Sequence, residues 1–506
     1  MTPRRPPFRE ETFDKLFAEE KKSSPAPTEI VFDGFKRRIR VLTSALDASS
    51  VSISPDGKNA LILASAGGQE NLFLYSLDEN AREAPSPRQL TSTSTVKRDA
   101  QFSPDSKEVF YIENGRIQAI NADTRIVRTI NVTAELDSDP RSLSLAAFDQ
   151  AWSTIRDWFY DDKYHGVDWS AMRGRYRPAA EASVNGDDLR RILNLMVGEL
   201  NASHSGASTG GANPTPVVGR LGLRTDDSLR VLEIIPLGPA ALSGKIKSGD
   251  TILSIDGSPI VNLDKHLENK IGKRVVVSVR HAAGTTEEIP LRPIALNAER
   301  QLVYDEWVDS RREYVERASG GKLAYVHMQD MSEGSLSRLY LDLDEDAHAK
   351  KGVVIDIRNN NGGFVNAYAL DVFSRRHYLN MAPRGYSAAP ARSLLGQRAI
   401  ELPSVLVVNQ HSLSDAEDFT EGYRSMRLGK VAGEPTAGWI IYTSGLTLVD
   451  GTSLRLPFVR ITTASGENME RNPRPVDIPV SNPLGAANDA QLDAAVKELM
   501  SSLAVR

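Results

Sequence analysis

The chain has 506 residues, about three to four times the usual length of a domain, with 40% hydrophobic and 25% charged residues. Its 61 Lys+Arg against 66 Asp+Glu leave a formal charge of only −5, which argues against nucleic acid as the main partner. Cysteine is absent, so disulfides, thiolate metal sites, Fe–S clusters and a cysteine nucleophile are excluded, and any covalent nucleophile must be Ser, Thr, Lys or an acid.

Met1 to Lys22 carries basic residues without the apolar stretch of an export signal and is interrupted by Pro3, Pro6 and Pro7. Apolar runs such as Val275–Val277 and Val405–Val408 are of strand length, far short of a membrane span. The expectation is a soluble cytoplasmic protein with no membrane partner. Residues 1–30 read as a lead-in around one short helix near Glu11 to Glu20.

From about 40 to 135 short alternating strands carry a repeated phrase, Ile53-Ser54-Pro55-Asp56-Gly57-Lys58 and then Phe102-Ser103-Pro104-Asp105-Ser106-Lys107, 49 residues on. That period fits four-stranded propeller blades, and two copies predict about two blades of an incomplete propeller; two unrelated hairpins are the alternative. Residues 142–200 change to helical spacing, with Phe148, Trp152, Ile155, Trp158 and Phe159 on one face and Leu189, Ile192, Leu193 and Met196 on another. The ring- and charge-rich loop Tyr160–Trp169 between them reads as packing.

Residues 214–295 order a glycine loop, Gly219-Arg220-Leu221-Gly222-Leu223, a strand, a small-residue helix and a Gly249-Asp250…Ile255-Asp256-Gly257 hairpin. This order resembles a PDZ domain, which implies backbone amides near Leu221, Gly222 and Leu223 placed to take a chain-end carboxylate. A PDZ-shaped spacer with a silent groove is the alternative. Beyond 300, the buried-strand runs Leu323–Met328, Val353–Ile357 and Val405–Val408 alternate with helices and predict an α/β core.

Three segments combine reactive side chains with turn chemistry. Gly198-Glu199-Leu200-Asn201-Ala202-Ser203-His204-Ser205 puts a histidine at a helix-to-loop junction, in competition with His165, His266, His281, His327, His348, His377 and His411. Asp356-Ile357-Arg358-Asn359-Asn360-Asn361-Gly362-Gly363 follows a buried strand with glycine amides suited to an oxyanion, or to an ordinary tight turn. Asn409-Gln410-His411-Ser412-Leu413-Ser414-Asp415 sets serines at a strand-to-helix turn, where a hydroxyl is either a nucleophile or an N-cap.

Together these segments resemble the tricorn-type, or tail-specific, serine peptidases over about 470 residues. The resemblance implies a multidomain α+β chain: N-terminal segment 1–39, partial β-propeller 40–138, helical subdomain 139–212, PDZ domain 213–297 and an α/β catalytic domain of the Clp-protease/crotonase type, 298–506. It implies Ser414 as nucleophile, His204 as general base, Ser203 as its orienting partner, and a glutamate completing a Ser-His-Ser-Glu tetrad. Glu470, seven residues before Asp477, fits the family pattern and Glu467 is the fallback, because Val476 separates Pro475 from Asp477. Amides of Gly362 or Gly363 and of Asp415 would bind the oxyanion, a contribution of about 3–4 kcal/mol per donor.

Related carboxyl-terminal processing peptidases use a Ser-Lys dyad, whose lysine follows a Gly-x-x-Thr-x-Gly turn. Here Gly433-Glu434-Pro435-Thr436-Ala437-Gly438 is followed by Trp439, and indole cannot accept a proton. No metal or other cofactor is expected. The implied substrate is a peptide or unfolded protein, and the implied assembly a homo-oligomer, the hexamer being tricorn's arrangement. Asp371, Glu417 and Asp418 are candidates for the acidic residue that tricorn places in its specificity pocket. A catalytically idle, peptide-binding PDZ scaffold is the competing reading.

Overall fold

The computed structural model describes residues 32–39, 46–66, 69–78, 85–133, 139–209, 217–376, 378–390, 400–483, 485–486 and 488–504. The helix expected near Glu11 to Glu20 lies outside them. The chain divides into two compact units, Met1–Asp137 and Ser138–Arg506. Among the described residues no helix is long and apolar enough to cross a membrane.

The first unit holds two four-stranded antiparallel sheets in simple up-and-down order, β1 (Asp47–Ile53), β2 (Asn59–Ala66), β3 (Gln69–Ser76) and β4 (Arg88–Gln89), then β5 (Lys97–Phe102), β6 (Glu108–Glu113), β7 (Arg116–Asn121) and β8 (Val127–Ile130). Each has the strand count of a propeller blade. The repeated phrase makes the same turn twice. Ser54 Oγ donates to Asp56 Oδ1 at 2.6 Å and accepts from Asn59 N at 2.9 Å, as Ser103 Oγ does with Asp105 at 2.7 Å and Glu108 N at 2.9 Å. Leu61, Leu72 and Leu74 of one sheet share a core with Val109, Tyr111 and Ile120 of the other.

The second unit opens with three helices, α1 (Pro140–Trp158), α2 (Trp169–Glu181) and α3 (Gly186–Gly198). Each is started by a polar side chain that accepts an orphan amide: Asp139 from Arg141, Asp168 from Ala171 and Asn185 from Asp188. Phe148, Ile155, Trp169, Leu189, Leu193 and Met196 are buried together. Trp158 departs from the expected apolar face and is 65% exposed. At 100° per residue it falls about 80° from Phe148, whereas Trp152, Ile155 and Phe159 stay within about 40°.

The helical region is not closed on itself. The strand β9 (Gly206–Thr209) adds to a hairpin from the far end of the chain, and Leu448, Leu454 and Leu456 of that hairpin complete the helical core. Next come β10 (Leu223–Thr225), β11 (Val231–Ile234), α4 (Pro239–Ser243), β12 (Thr251–Ile255), β13 (Ser258–Pro259), α5 (Leu263–His266), β14 (Val275–Arg280) and β15 (Thr286–Leu291), around Leu221, Val231, Ile252, Val277 and Ile289.

After α6 (Leu296–Ala318), β16 (Leu323–His327), α7 (Glu333–Asp346), β17 (Gly352–Asp356), α8 (Asn366–Ser374), the hairpin β18 (Asn380–Met381) and β19 (Ala389–Pro390), β20 (Ser404–Val408), α9 (Asp415–Ser425), β21 (Gly429–Gly433), the hairpin β22 (Tyr442–Thr447) and β23 (Thr452–Val459), β24 (Ile478–Pro479) and α10 (Ala490–Ala504) complete the chain. The sheet β16-β17-β20-β21-β24 is wholly parallel. Its strands β16, β17 and β20 are buried along their whole length and mostly apolar because both faces are covered. Val326, Ile355, Leu406 and Val408 meet Leu339, Leu370 and Phe419, while Tyr325, Val354, Val405 and Val407 meet Val308, Val315, Leu492 and Val496. The carboxyl ends of the adjacent strands β17 and β20 therefore open side by side, where parallel α/β sheets hold their ligands.

Candidate active site

The turns after β17 and β20 are fastened to each other. Asn359 N donates to Asn409 Oδ1 and Asn409 Nδ2 to Asn359 Oδ1, both at 3.0 Å, and Leu413 N donates to Asn360 O at 3.0 Å. Arg358 pins the end of β17 by pairing with Asp356 at 2.7 Å and with Asp489 at 2.8 Å, all three buried. Ser412 is fully buried and donates to Ile357 O at 2.8 Å, so it is a strut between the turns. Ser414 heads α9 with φ 58° and ψ −129°, and its side chain caps no amide. Non-glycine residues hold such a conformation at a cost of about 1–3 kcal/mol, and only where their surroundings enforce it. Here Ser414 N donates to Trp439 O at 2.9 Å and Glu417 N to Ser414 O at 2.7 Å.

The glycine turn lies directly against this serine. A Cβ on Gly362 would stand 2.4 Å from Ser414 Cβ and 2.9 Å from Asp415 N. One on Gly363 would strike Met331 O at 2.0 Å. Of the expected oxyanion donors, the Gly362 amide is already taken by Asn360 Oδ1 at 2.9 Å. Among the described residues the amides of Gly363 and Asp415 have no acceptor, the latter because it begins a helix.

His204 reaches this end of the sheet because the strand that follows it, β9, pairs with β23 in the register Gly206↔Arg455 and Ala207↔Leu454. The ring-rich loop braces the approach. His165 Nδ1 bonds Leu200 O at 2.7 Å, and Arg460 pairs with Asp161 at 2.8 Å. Ser203 Oγ lies 2.7 Å from His204 Nδ1 and donates to Glu470 Oε2 at 3.0 Å, while Ser203 N donates to Glu470 Oε1 at 2.8 Å. A hydroxyl whose proton points at the carboxylate must accept from the ring, which fixes the proton on Nδ1 and leaves Nε2 with its lone pair. Burial, helped by the nearby Arg455 charge, lowers the His204 pKa to about 4. Glu470 is buried, whereas Glu467 bonds Asn472 on the rim and does not contact Ser203.

One peptide group joins the two halves. The Trp439 carbonyl accepts from Ser414 N, and the Ile440 amide of the same peptide donates to Glu470 Oε2 at 2.8 Å. The loop carrying it is held by fully buried Glu417, which accepts from Thr436 Oγ1 at 2.7 Å, Gly438 N at 2.9 Å and Trp439 N at 2.6 Å. Burial raises the pKa of Glu417 despite these donors. Sequence reading missed this role; the Gly-x-x-Thr-x-Gly phrase was the available signal. Among the described residues no hydrogen bond joins Ser414 Oγ to His204. Catalytic contacts commonly tighten only when substrate binds.

The remaining candidates fall elsewhere. Asp371 pairs with Arg375 on the exposed side of α8. Asp418 is bonded by Tyr442 at 3.0 Å, and burial pushes its pKa up to about 7. The Gly222 amide of the PDZ loop is occupied by Glu299. Of the competing histidines, His327 is buried against Tyr304 at 2.7 Å and His281 bonds Asp250 at 3.1 Å; His377 lies outside the described residues. No group of three or more His, Asp or Glu that could hold a metal occurs among the described residues.

Comparison with known proteins gives three family matches: Peptidase family S41 at residues 322–480, the Tricorn protease C1 domain at 145–198 and the PDZ domain at 192–277. The PDZ match begins within α3 and stops at β14, while the strands of that region extend to Leu291. Tricorn protease homolog 1 of Streptomyces coelicolor is 28% identical over 80% of this chain and 40% of its own length. Tricorn protease of Thermoplasma volcanium is 25% identical over 80% of this chain and 41% of its own. The chain thus spans about two fifths of the curated tricorn relatives it matches. A tricorn protease crystal structure superposes with a TM-score of 0.77 over 90% of this chain and 47% of that one, at 21% identity. On sequence and fold together, the chain is similar to the tricorn proteases, and its last α/β region matches peptidase family S41.

Proposed function

We propose that this chain hydrolyses peptide bonds in oligopeptides or unfolded proteins, with Ser414 as nucleophile, His204 as general base, and Ser203 and Glu470 orienting the imidazole. The observation that carries this reading is the continuous chain from the Glu470 carboxylate through the Ser203 hydroxyl to His204 Nδ1. Ser414 Oγ attacks the carbonyl carbon as its proton passes to His204 Nε2, giving a tetrahedral intermediate whose oxyanion meets the amides of Gly363 and Asp415. The proton then goes to the leaving amine, an acyl-enzyme remains, and water attacks it with His204 again as base. Parallel loss of casein and peptide hydrolysis in Ser414→Ala and His204→Ala is the test. Hydrolysis unaffected by either would sink the reading.

The acid limb of kcat/KM follows from the histidine. His204 works only when neutral, and with its pKa lowered to about 4 it is half protonated near pH 4 and neutral well above it. Activity should fall with a midpoint near pH 4, not at the 6.5 of an ordinary histidine. A pH–rate profile checks this, with Asp418→Asn run alongside because that carboxyl is pushed up to about 7. A limb near 6.5 in both proteins would contradict it.

Homo-oligomer formation belongs to the same proposal. The edge strand β1 is exposed along its whole length, including Val51 and Ile53, and such edges are normally covered. Sedimentation is expected to give more than one chain per particle; a monodisperse monomer would remove this part.

A further inference from the structure

The chain leaves β15 beside the PDZ loop. Arg220 N donates to Ile294 O at 2.7 Å and Ile294 N returns a bond to Arg220 O at 2.9 Å. Five residues on, in the first turn of α6, Glu299 turns back to the loop. Its Oε2 accepts from Gly222 N at 3.2 Å and its Oε1 from the Arg224 guanidinium at 3.0 Å. The glutamate is 1% exposed, whereas the arginine side chain is half-exposed. A carboxylate is buried only where charge and donors meet it, and these two partners are what hold this one.

Gly222 is also the residue the loop cannot replace. It sits at φ 72°, and a Cβ there would press to 2.9 Å on both Gly238 Cα and Pro239 Cδ. The glycine that shapes the loop is thus the one whose amide holds the internal carboxylate. In a PDZ domain the amides at this point of the loop receive the carboxylate of a chain end. Two carboxylates cannot share one amide without strong repulsion, so a chain end and Glu299 exclude each other.

We propose that Glu299 is an internal ligand of the PDZ loop, closing it to chain-end carboxylates until the glutamate is displaced. A ligand that succeeds must bring its own carboxylate to Gly222 and replace the Arg224 pairing. The inference concerns binding alone and stands whether or not Ser414 is a nucleophile.

The test is fluorescence anisotropy with a fluorescein-labelled peptide ending in valine, as free acid and as carboxamide, on the full chain carrying Ser414→Ala so that hydrolysis cannot consume the probe. Glu299→Ala should bind the free acid at least tenfold more tightly than the parent, with no comparable gain for the carboxamide. Glu299→Gln, which keeps the volume and loses the charge, should move the same way and decides the matter if Glu299→Ala fails to fold. Equal free-acid affinity in parent and variant would overturn the proposal. So would a folded variant that binds neither peptide, or a gain shared by acid and carboxamide.

Discussion

Ser414→Ala and His204→Ala are each expected to lower kcat by about 10⁴–10⁶-fold, and the double variant by little more than either alone, because the proposed nucleophile and base would act as one unit. Glu470→Gln should cost less, about 10²–10⁴-fold. It keeps the shape but sets an amide nitrogen or a weaker acceptor against three donors, Ser203 N, Ser203 Oγ and Ile440 N. The hydroxyl of Ser203 is then free to point at the ring, and the tautomer that leaves Nε2 unprotonated loses its anchor. Glu467→Gln, on the rim, should leave kcat unchanged. Steady-state kinetics on one fluorogenic peptide checks the series, and an equal loss in Glu467→Gln and Glu470→Gln would contradict the assignment of the acid.

Gly362→Ala should lower kcat/KM by at least 10²-fold although no reacting atom is removed. The new methyl would lie 2.4 Å from Ser414 Cβ and 2.9 Å from Asp415 N, so the serine and an amide proposed for the oxyanion would both be pushed aside. A displacement on the order of 1 Å at a reacting centre is enough for a loss of that size. Alanine at φ 79° also carries a backbone penalty of about 1–2 kcal/mol. Gly451→Ala separates the two effects. That glycine has φ 86° in the β22–β23 turn, and nothing lies within 4 Å of the added atom. It should lose stability alone in thermal unfolding and keep its activity; matching activity losses in the two variants would show that strain, not crowding of Ser414, is responsible.

What could be read from the sequence was what local chemistry writes into it. The Ser-Pro-Asp turns announced themselves twice because each is built from residues within five positions of one another. The continuous apolar runs of β17 and β20 identified buried strands of an α/β core, and the serines and glycines after them could be quoted as motifs. Trp158 departs from the expected apolar face because it stands at the last turn of α1, at the edge of the apolar stripe. Long-range partners left no comparable mark. Nothing in the spacing couples Gly206 to Arg455, or ties Glu417 to the loop at 436–440. Glu299 and Gly222 are 77 residues apart, and only the folded chain brings the carboxylate to the loop. The Trp439–Ile440 peptide was equally hidden, since its contacts use backbone atoms that any residue carries.

Fluorophosphonate labelling of the purified chain, with mass-spectrometric location of the adduct, reads out directly whether Ser414 is the nucleophile. One adduct is expected on Ser414, formed in the parent, lost in Ser414→Ala and strongly slowed in His204→Ala. An adduct on another serine, or labelling of Ser414 at the same rate without His204, would contradict it.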